Sequence, residues 1–490
     1  MSKKNAPQGI KDLEPKEVWN NFYLLTRCPR PSKHEEVVRE FLVKWAKDHK
    51  IECRVDKTGN VIMKKPATKG MEDRQPVVLQ AHMDMVPQAR AGKVHDFEKD
   101  PIETKIVDGW VYACDTTLGA DDGLGVAAAM AVLESKTVKH GPLEALFTTD
   151  EETGMTGAFG LKKGELEGHY LLNLDSETEG ELYVGCAGGI DATMNLPYKL
   201  EKAPKDYMAV RITIGGLQGG HSGMEINAGR GNANKLLFRH LRWVAECGLR
   251  LYKLEGGTLC NAIPRDAEAV VAFPKAHKEC ILKEWDKVAS WVKKELSTTE
   301  PDFFMKYETV RMPQQVMTEA DTQKIINTMM IAPNGVQRMS ADMPGLVETS
   351  LNLAHCYTNG KNFVMMALLR SSVDTAKEAL AERLVCLAEL AGGSCKLTGA
   401  YPGWKPNMKS GLLKTMKDTY KKLYKKNPEV MAIHAGLECG LLGGKYPEME
   451  MISFGPTLKS PHSPDERANI ESVVKFYDYL KAALENMPKK

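Results

Sequence analysis

Four short apolar runs stand out along the chain, and each stops at or shortly before a histidine or a carboxylate. Val77 to Ala81 runs into His82; Pro142 to Phe147 leads through two threonines towards Glu151 and Glu152; Tyr170 to Leu174 runs into Asp175; Met451 to Phe454 leads through a loop to His462. Runs that are apolar at successive positions, without alternation, predict strands buried on both faces, as in a parallel sheet. A fifth apolar stretch, the Ala-rich Val126 to Leu133, predicts a buried helix whose start carries Asp121 in TLGADDGLG.

The remaining patterning is of a different kind. The N-terminal part alternates helical periods, such as Val37 to Trp45, with strand runs, whereas the stretch from about Gly189 to Ala400 mixes amphipathic helices (Asn232 to Ala245, Lys377 to Leu390) with strands (Met208 to Ile214, Phe363 to Leu368). Gly and Pro punctuate its two ends, at CAGG and YPGW. A chain of 490 residues exceeds what one hydrophobic core organises. The expectation is therefore a discontinuous α/β domain over 1–188 and 400–490, interrupted by an inserted α+β lid over 189–399. No convincing internal repeat is present. The basic run Lys421 to Lys426 reads as the solvated face of a helix.

Charge and cysteine usage narrow the partners. With 66 basic and 64 acidic residues the net charge is only +2, so no global field draws the chain to nucleic acid or to an anionic membrane. The first fifteen residues carry lysines but no apolar core of a secretory leader, and the apolar stretch ending at Leu133 is well short of the roughly 20 residues that span a bilayer. The eleven cysteines are scattered and form no CxxC pair, which fits thiols in a reducing, cytoplasmic setting.

The chemistry lies in the residues that end the runs. In open α/β sheets the carboxyl ends of the strands face one crevice, so His82, Glu152, Asp175 and His462 are expected to meet there with Asp121. Singly, each has an ordinary reading: a structural histidine, a solvated acidic pair, a helix cap. Together, two imidazoles and three carboxylates suit a pair of borderline divalent ions, zinc first, with cobalt or manganese also accommodated. Five ligands for two ions require one to bridge, and the natural division is His82 with Asp175 and Glu152 with His462, leaving Asp121 between them. Two such ions sit about 3.5–4 Å apart in two-metal hydrolases. Asp84, two residues from His82 on an extended chain, points to the same side and is placed to fix the imidazole tautomer. Glu151, beside the ligand Glu152, is left as the general base for an activated water.

The motifs HMDMV, GADDGLG, DEETG, NLDSE and SPHSPDE resemble those of the co-catalytic di-zinc peptidase family that contains carboxypeptidase G-type enzymes, acetylornithine deacetylases and bacterial dipeptidases. GGHSG at Gly219 to Gly223, NAIPRDAEA at Asn261 to Ala269 and HAGLECG at His434 to Gly440 are most similar to its aminoacyl-histidine dipeptidase branch. That resemblance implies a phosphorylase/hydrolase-like catalytic domain with a dimerisation-type lid, a homodimer, and a non-proline cis peptide after Asp121. It also implies that His221 stabilises the oxyanion, and that Asn261, Arg370 and, through its backbone, Gly436 hold the substrate carbonyl and C-terminal carboxylate. The expected substrates are dipeptides, those with C-terminal histidine included. An N-acyl amino acid deacylase or tripeptidase with the same centre is the alternative within the family, and a metal-binding scaffold the alternative outside catalysis.

Overall fold

The four apolar runs become adjacent strands, all parallel. In the computed structural model of the protein, which describes residues 9–490, Leu143–Thr148, Val77–His82, Tyr170–Asn173 and Glu450–Ser453 lie side by side in that order, paired in parallel. Every residue of the first three is buried, which is why their sequences show no alternation. Glu52–Val55 and Val61–Lys65 extend the sheet antiparallel on one side, and Glu181–Cys186 and Glu429–Ile433 extend it on the other, to eight strands. The helix Ala120–Glu134, buried from Ala120 to Leu133, packs on Val77–His82 and is covered in turn by Lys16–Thr26. The expectation of no secretory leader rests partly on residues 1–8, which lie outside the described residues.

The chain divides into two compact units, one made of 1–185, 406–432 and 437–490, the other of 186–405 and 433–436. The first also contains a small antiparallel sheet of Thr104–Val107, Trp110–Ala113, Arg467–Asn469 and Leu458–Lys459. Its last two strands form a hairpin whose connecting loop carries His462. The second unit is built on a nine-stranded antiparallel sheet that includes Tyr207–Gly215, Val347–Thr358 and Asn362–Ser371. Its helices Ala233–Trp243, Lys278–Glu295, Glu319–Ile331 and Asp374–Leu390 bury residues such as Phe238, Trp285, Ile325 and Leu384 in a single core with that sheet.

One expectation needs refinement. Asp121 does not occupy a regular helical turn: its φ/ψ of −82°/113° is extended, and Asp122 is also non-helical. Asp122 is the residue that caps, its Oδ1 accepting the N–H of Gly125 at 3.1 Å. The peptide between Asp121 and Asp122 is cis, as the motif resemblance implies. Lys421, Lys422, Lys425 and Lys426 are exposed at the end of the helix Gly411–Tyr424, in keeping with a solvated face. Among the described residues no disulfide is formed, and no described helix is long and apolar enough to cross a membrane.

Candidate metal centre

Because the strands are parallel, their carboxyl ends open on one side of the sheet, and the loops that follow deliver the side chains there. His82 is the last residue of its strand; Asp175 follows Asn173 by two positions; Glu151 and Glu152 follow Thr148 by three and four. The first unit brings all five expected ligands together. His82 Nε2 lies 3.1 Å from Asp121 Oδ1 and 3.3 Å from Asp175 Oδ1. His462 Nε2 lies 3.2 Å from Asp121 Oδ2 and 2.9 Å from Glu152 Oε2. Asp121 thus turns one oxygen to each histidine. The donor atoms of His82, Asp121 and Asp175, and separately those of Asp121, Glu152 and His462, all lie within 4.8 Å of one another, a compass in which each set can hold one cation.

The surroundings fit positive charge. Burial, reinforced by Asp121, pushes the Asp175 carboxyl up to about 7, and burial next to Asp175 drives Asp122 well above the carboxylate range. Glu152 Oε1 is buried without a hydrogen-bond partner. Crowded carboxylates with an orphaned oxygen are destabilising alone and are relieved by a bound cation. Glu151 stands beside His82 and Glu152, its donor atom within the same 4.8 Å. Burial, and then like charge from Asp175, Glu438 and Glu152, raises it well above the usual range, the direction that suits a proton acceptor working near neutrality.

A second layer holds these groups in place. Asp84 Oδ1 lies 3.3 Å from His82 Nδ1 and accepts the N–H of Glu151 at 3.0 Å, while its Oδ2 accepts from Glu152 N at 3.3 Å and from Ser32 Oγ at 2.8 Å. One buried carboxylate therefore stands against the imidazole and accepts from the backbone of both glutamates. Glu466 accepts four successive N–H groups, from Leu118 to Asp121, at 2.7–3.2 Å. Arg30, also buried, donates to the carbonyls of Met83 and Asp84 and to that of Gly119, joining the His82 loop to the Asp121 loop. Gly119 is at φ +68°, and a Cβ there would come within 2.8 Å of Met85 Sδ, so the turn that presents Asp121 needs glycine.

Glu466 and Arg30 were not singled out by the sequence patterning. Glu466 belongs to SPHSPDE, where it reads as one more loop acid; Arg30 sits in an unremarked loop. Their partners are backbone groups distant in sequence, which leaves no local periodicity to find.

The other expected residues lie in the second unit. His221 Nδ1 accepts the N–H of Gly223 at 3.2 Å and of Met224 at 3.0 Å, so the ring carries its proton on Nε2. Burial, with the Arg370 charge nearby, lowers its pKa and favours this neutral donor form. Arg370 is buried and held by hydroxyls, Nε donating to Ser222 Oγ at 3.3 Å and Nη1 to Tyr401 Oη at 3.2 Å. Asn261 is exposed and its backbone carbonyl accepts the N–H of Ser222 at 2.8 Å. Gly436 is half-buried.

The chain is similar to known proteins over nearly its whole length. Residues 78–486 match the model of Peptidase family M20/M25/M40. The chain is 45% identical to the cytosol non-specific dipeptidase of Escherichia coli (strain K12), across 98% of this chain and 99% of that one. The crystal structure of aminoacylhistidine dipeptidase from Vibrio alginolyticus superposes with a TM-score of 0.95 at 46% identity, covering 99% of both chains. The aminopeptidase PepT of Bacillus cereus, at 18% identity and a TM-score of 0.56, shares the fold. With both the family model and a near full-length relative matching, the chain belongs to the M20/M25/M40 peptidase family.

Proposed function

We propose that the protein is a cytoplasmic metallo-dipeptidase with a broad choice of dipeptides, Xaa-His and carnosine-like compounds included. The observation that carries the reading is the shared Asp121: its two oxygens face two separate ligand groups, while Glu151 stands alongside as an acid that neither group needs. His82, Asp175 and Asp121 would hold one cation, Glu152, His462 and Asp121 the other. Zinc suits the mixed nitrogen and oxygen donors, as do cobalt and manganese. When bound, such a pair supplies Lewis-acid polarisation of a carbonyl and lowers the pKa of water towards neutrality.

The residues of the chain perform the remaining work. Glu151 takes a proton from the attacking water and passes it to the leaving amine, so no covalent intermediate is needed. Asp84 keeps His82 in the tautomer that presents Nε2, and orients Glu151 through its backbone N–H. His221, as a neutral Nε2–H donor, stabilises the oxyanion, a type of contact that contributes about 3–4 kcal/mol. Arg370 recognises the C-terminal carboxylate; its guanidinium is held by two hydroxyls and is suited to pairing with an incoming anion. Asn261 and the Gly436 backbone complete the hold on the substrate. The resemblance to dimerising relatives supports a homodimer formed through the inserted region, and the balanced charge gives no reason to expect nucleic-acid or membrane partners.

The test is a panel assay. The protein, reconstituted with zinc, cobalt or manganese, is offered dipeptides, tripeptides and N-acetyl amino acids. Dipeptides are expected to be cleaved fastest. Cleavage confined to acylated amino acids, or to tripeptides, overturns the dipeptidase reading in favour of the deacylase or tripeptidase, and hydrolysis of none points to a scaffold.

A further inference from the structure

Below the ligand cluster a chain of buried polar side chains crosses the three strands that carry it. Gln80, Asn173 and Thr148 lie two residues before His82, two before Asp175 and three before Glu151. Asn173 Nδ2 donates to Gln80 Oε1 at 2.5 Å, and Gln80 Nε2 donates to Glu438 Oε2 at 2.6 Å. Thr148 Oγ1 donates to that same carboxylate oxygen at 2.7 Å. Glu438 is 1% exposed and comes from the first residue of the helix Glu438–Lys445, so a segment distant in sequence gathers the polar groups of neighbouring strands. Its other oxygen, Oε1, is buried without a partner.

No cation lies opposite this carboxylate among its hydrogen-bond partners, which are an amide and a hydroxyl. A buried carboxylate so placed costs stability that an apolar side chain would not. What it supplies is a convergent acceptor that fixes the spacing and rotamers of Gln80 and Thr148 directly upstream of the ligands. We propose that Glu438 is a positioning residue for the metal centre, acting through Gln80, Thr148 and Asn173 to hold the strand ends that present His82, Glu151, Glu152 and Asp175. The proposal rests on the reading of these residues as metal ligands and catalytic base.

The role is one of accepting hydrogen bonds, which sets it apart from a contribution of charge. In Glu438→Gln the amide oxygen takes the place of Oε2 and keeps both donors, while the amide nitrogen takes the place of the unpartnered Oε1. In Glu438→Leu both donors lose this acceptor and keep only longer contacts, Gln80 Nε2 to Thr148 Oγ1 and Thr148 Oγ1 to the Ala81 carbonyl, each at 3.3 Å. Thr148→Val removes one of the two donors at nearly constant volume and serves where Glu438→Leu fails to fold.

The experiment titrates zinc and cobalt into the metal-stripped full-length wild type and these three variants, reading affinity and the cobalt absorption spectrum, with circular dichroism as the check on folding. Glu438→Gln is expected within about threefold of wild type and with its cobalt spectrum; Glu438→Leu is expected to bind at least about tenfold more weakly with an altered spectrum, in the range for residues that orient ligands, and Thr148→Val to fall between. Wild-type affinity and spectrum in a folded Glu438→Leu, or in Thr148→Val when that variant alone folds, overturn the proposal. So does a loss in Glu438→Gln equal to that in Glu438→Leu, which would assign the effect to charge. If the wild type itself binds no pair of ions, it is the underlying metal reading that fails.

Discussion

Glu466 Oε1 accepts the backbone N–H of Asp121 at 3.2 Å, and four residues before Glu466 the same loop places His462 Nε2 3.2 Å from Asp121 Oδ2. The loop that supplies one ligand therefore also fixes the backbone of the carboxylate it shares. Glu466→Ala would leave the buried N–H groups of Leu118, Gly119, Ala120 and Asp121 without their acceptor, at a cost on the order of 3 kcal/mol or more. A lowered unfolding midpoint together with weakened metal binding is expected. A wild-type midpoint in thermal melts would show that water or a shifted loop replaces the carboxylate.

Glu151→Gln separates chemistry from binding. The residue is assigned to neither metal-ligand set, so metal content measured by elemental analysis should be close to normal, while kcat on a good dipeptide falls by at least about 100-fold. Unchanged turnover would remove Glu151 from the role of base.

Arg370 predicts a dependence on the substrate terminus. Arg370→Ala is expected to raise KM at least about tenfold for free dipeptides and to have little effect on dipeptide amides, which lack the carboxylate. Equal losses on both substrate types would assign Arg370 a structural part through Ser222 and Tyr401.

The pH dependence of folding has an identifiable contributor in the second unit. Burial, with the Arg370 charge nearby, lowers His434 from 6.5 to about 3, while its Nε2 pairs with Ser350 Oγ at 2.7 Å. Between those values the unfolded chain takes up a proton that the folded one refuses, so this residue's contribution to stability falls as pH drops through 6.5 and levels off below about 3. Urea unfolding of wild type and His434→Gln across this window should give a shallower loss of stability for the variant. Parallel curves would show that His434 does not titrate on unfolding.

Much of this centre was legible in the sequence because parallel strands buried on both faces produce unbroken apolar runs, and ligands at their ends are found by reading where the runs stop. His82 and Asp175 follow directly from that rule, and Glu151 and Glu152 nearly so. His462 follows less directly, since several residues and a short strand separate it from the run Met451 to Phe454. The helix start at Asp121 is legible from the alanines after it, whereas the extended conformation of Asp121 itself and the cap at Asp122 are not. Arg30 left no signal, and Glu466 and Glu438 lie inside the motifs SPHSPDE and HAGLECG without revealing their roles, since each acts on groups far away in the chain. The lesson lies in the type of interaction: burial shows in periodicity, whereas side chains that brace distant backbone or side-chain groups do not.

The account turns on Asp121 serving two cations at once, and metal titration with counted stoichiometry tests it most directly. Wild type should bind two zinc ions per chain, His462→Ala should keep one tight ion held by His82 and Asp175, and Asp121→Asn should weaken both sites together. An Asp121→Asn protein that retains either site at wild-type affinity, or a wild type that saturates at a single ion, would contradict the shared carboxylate.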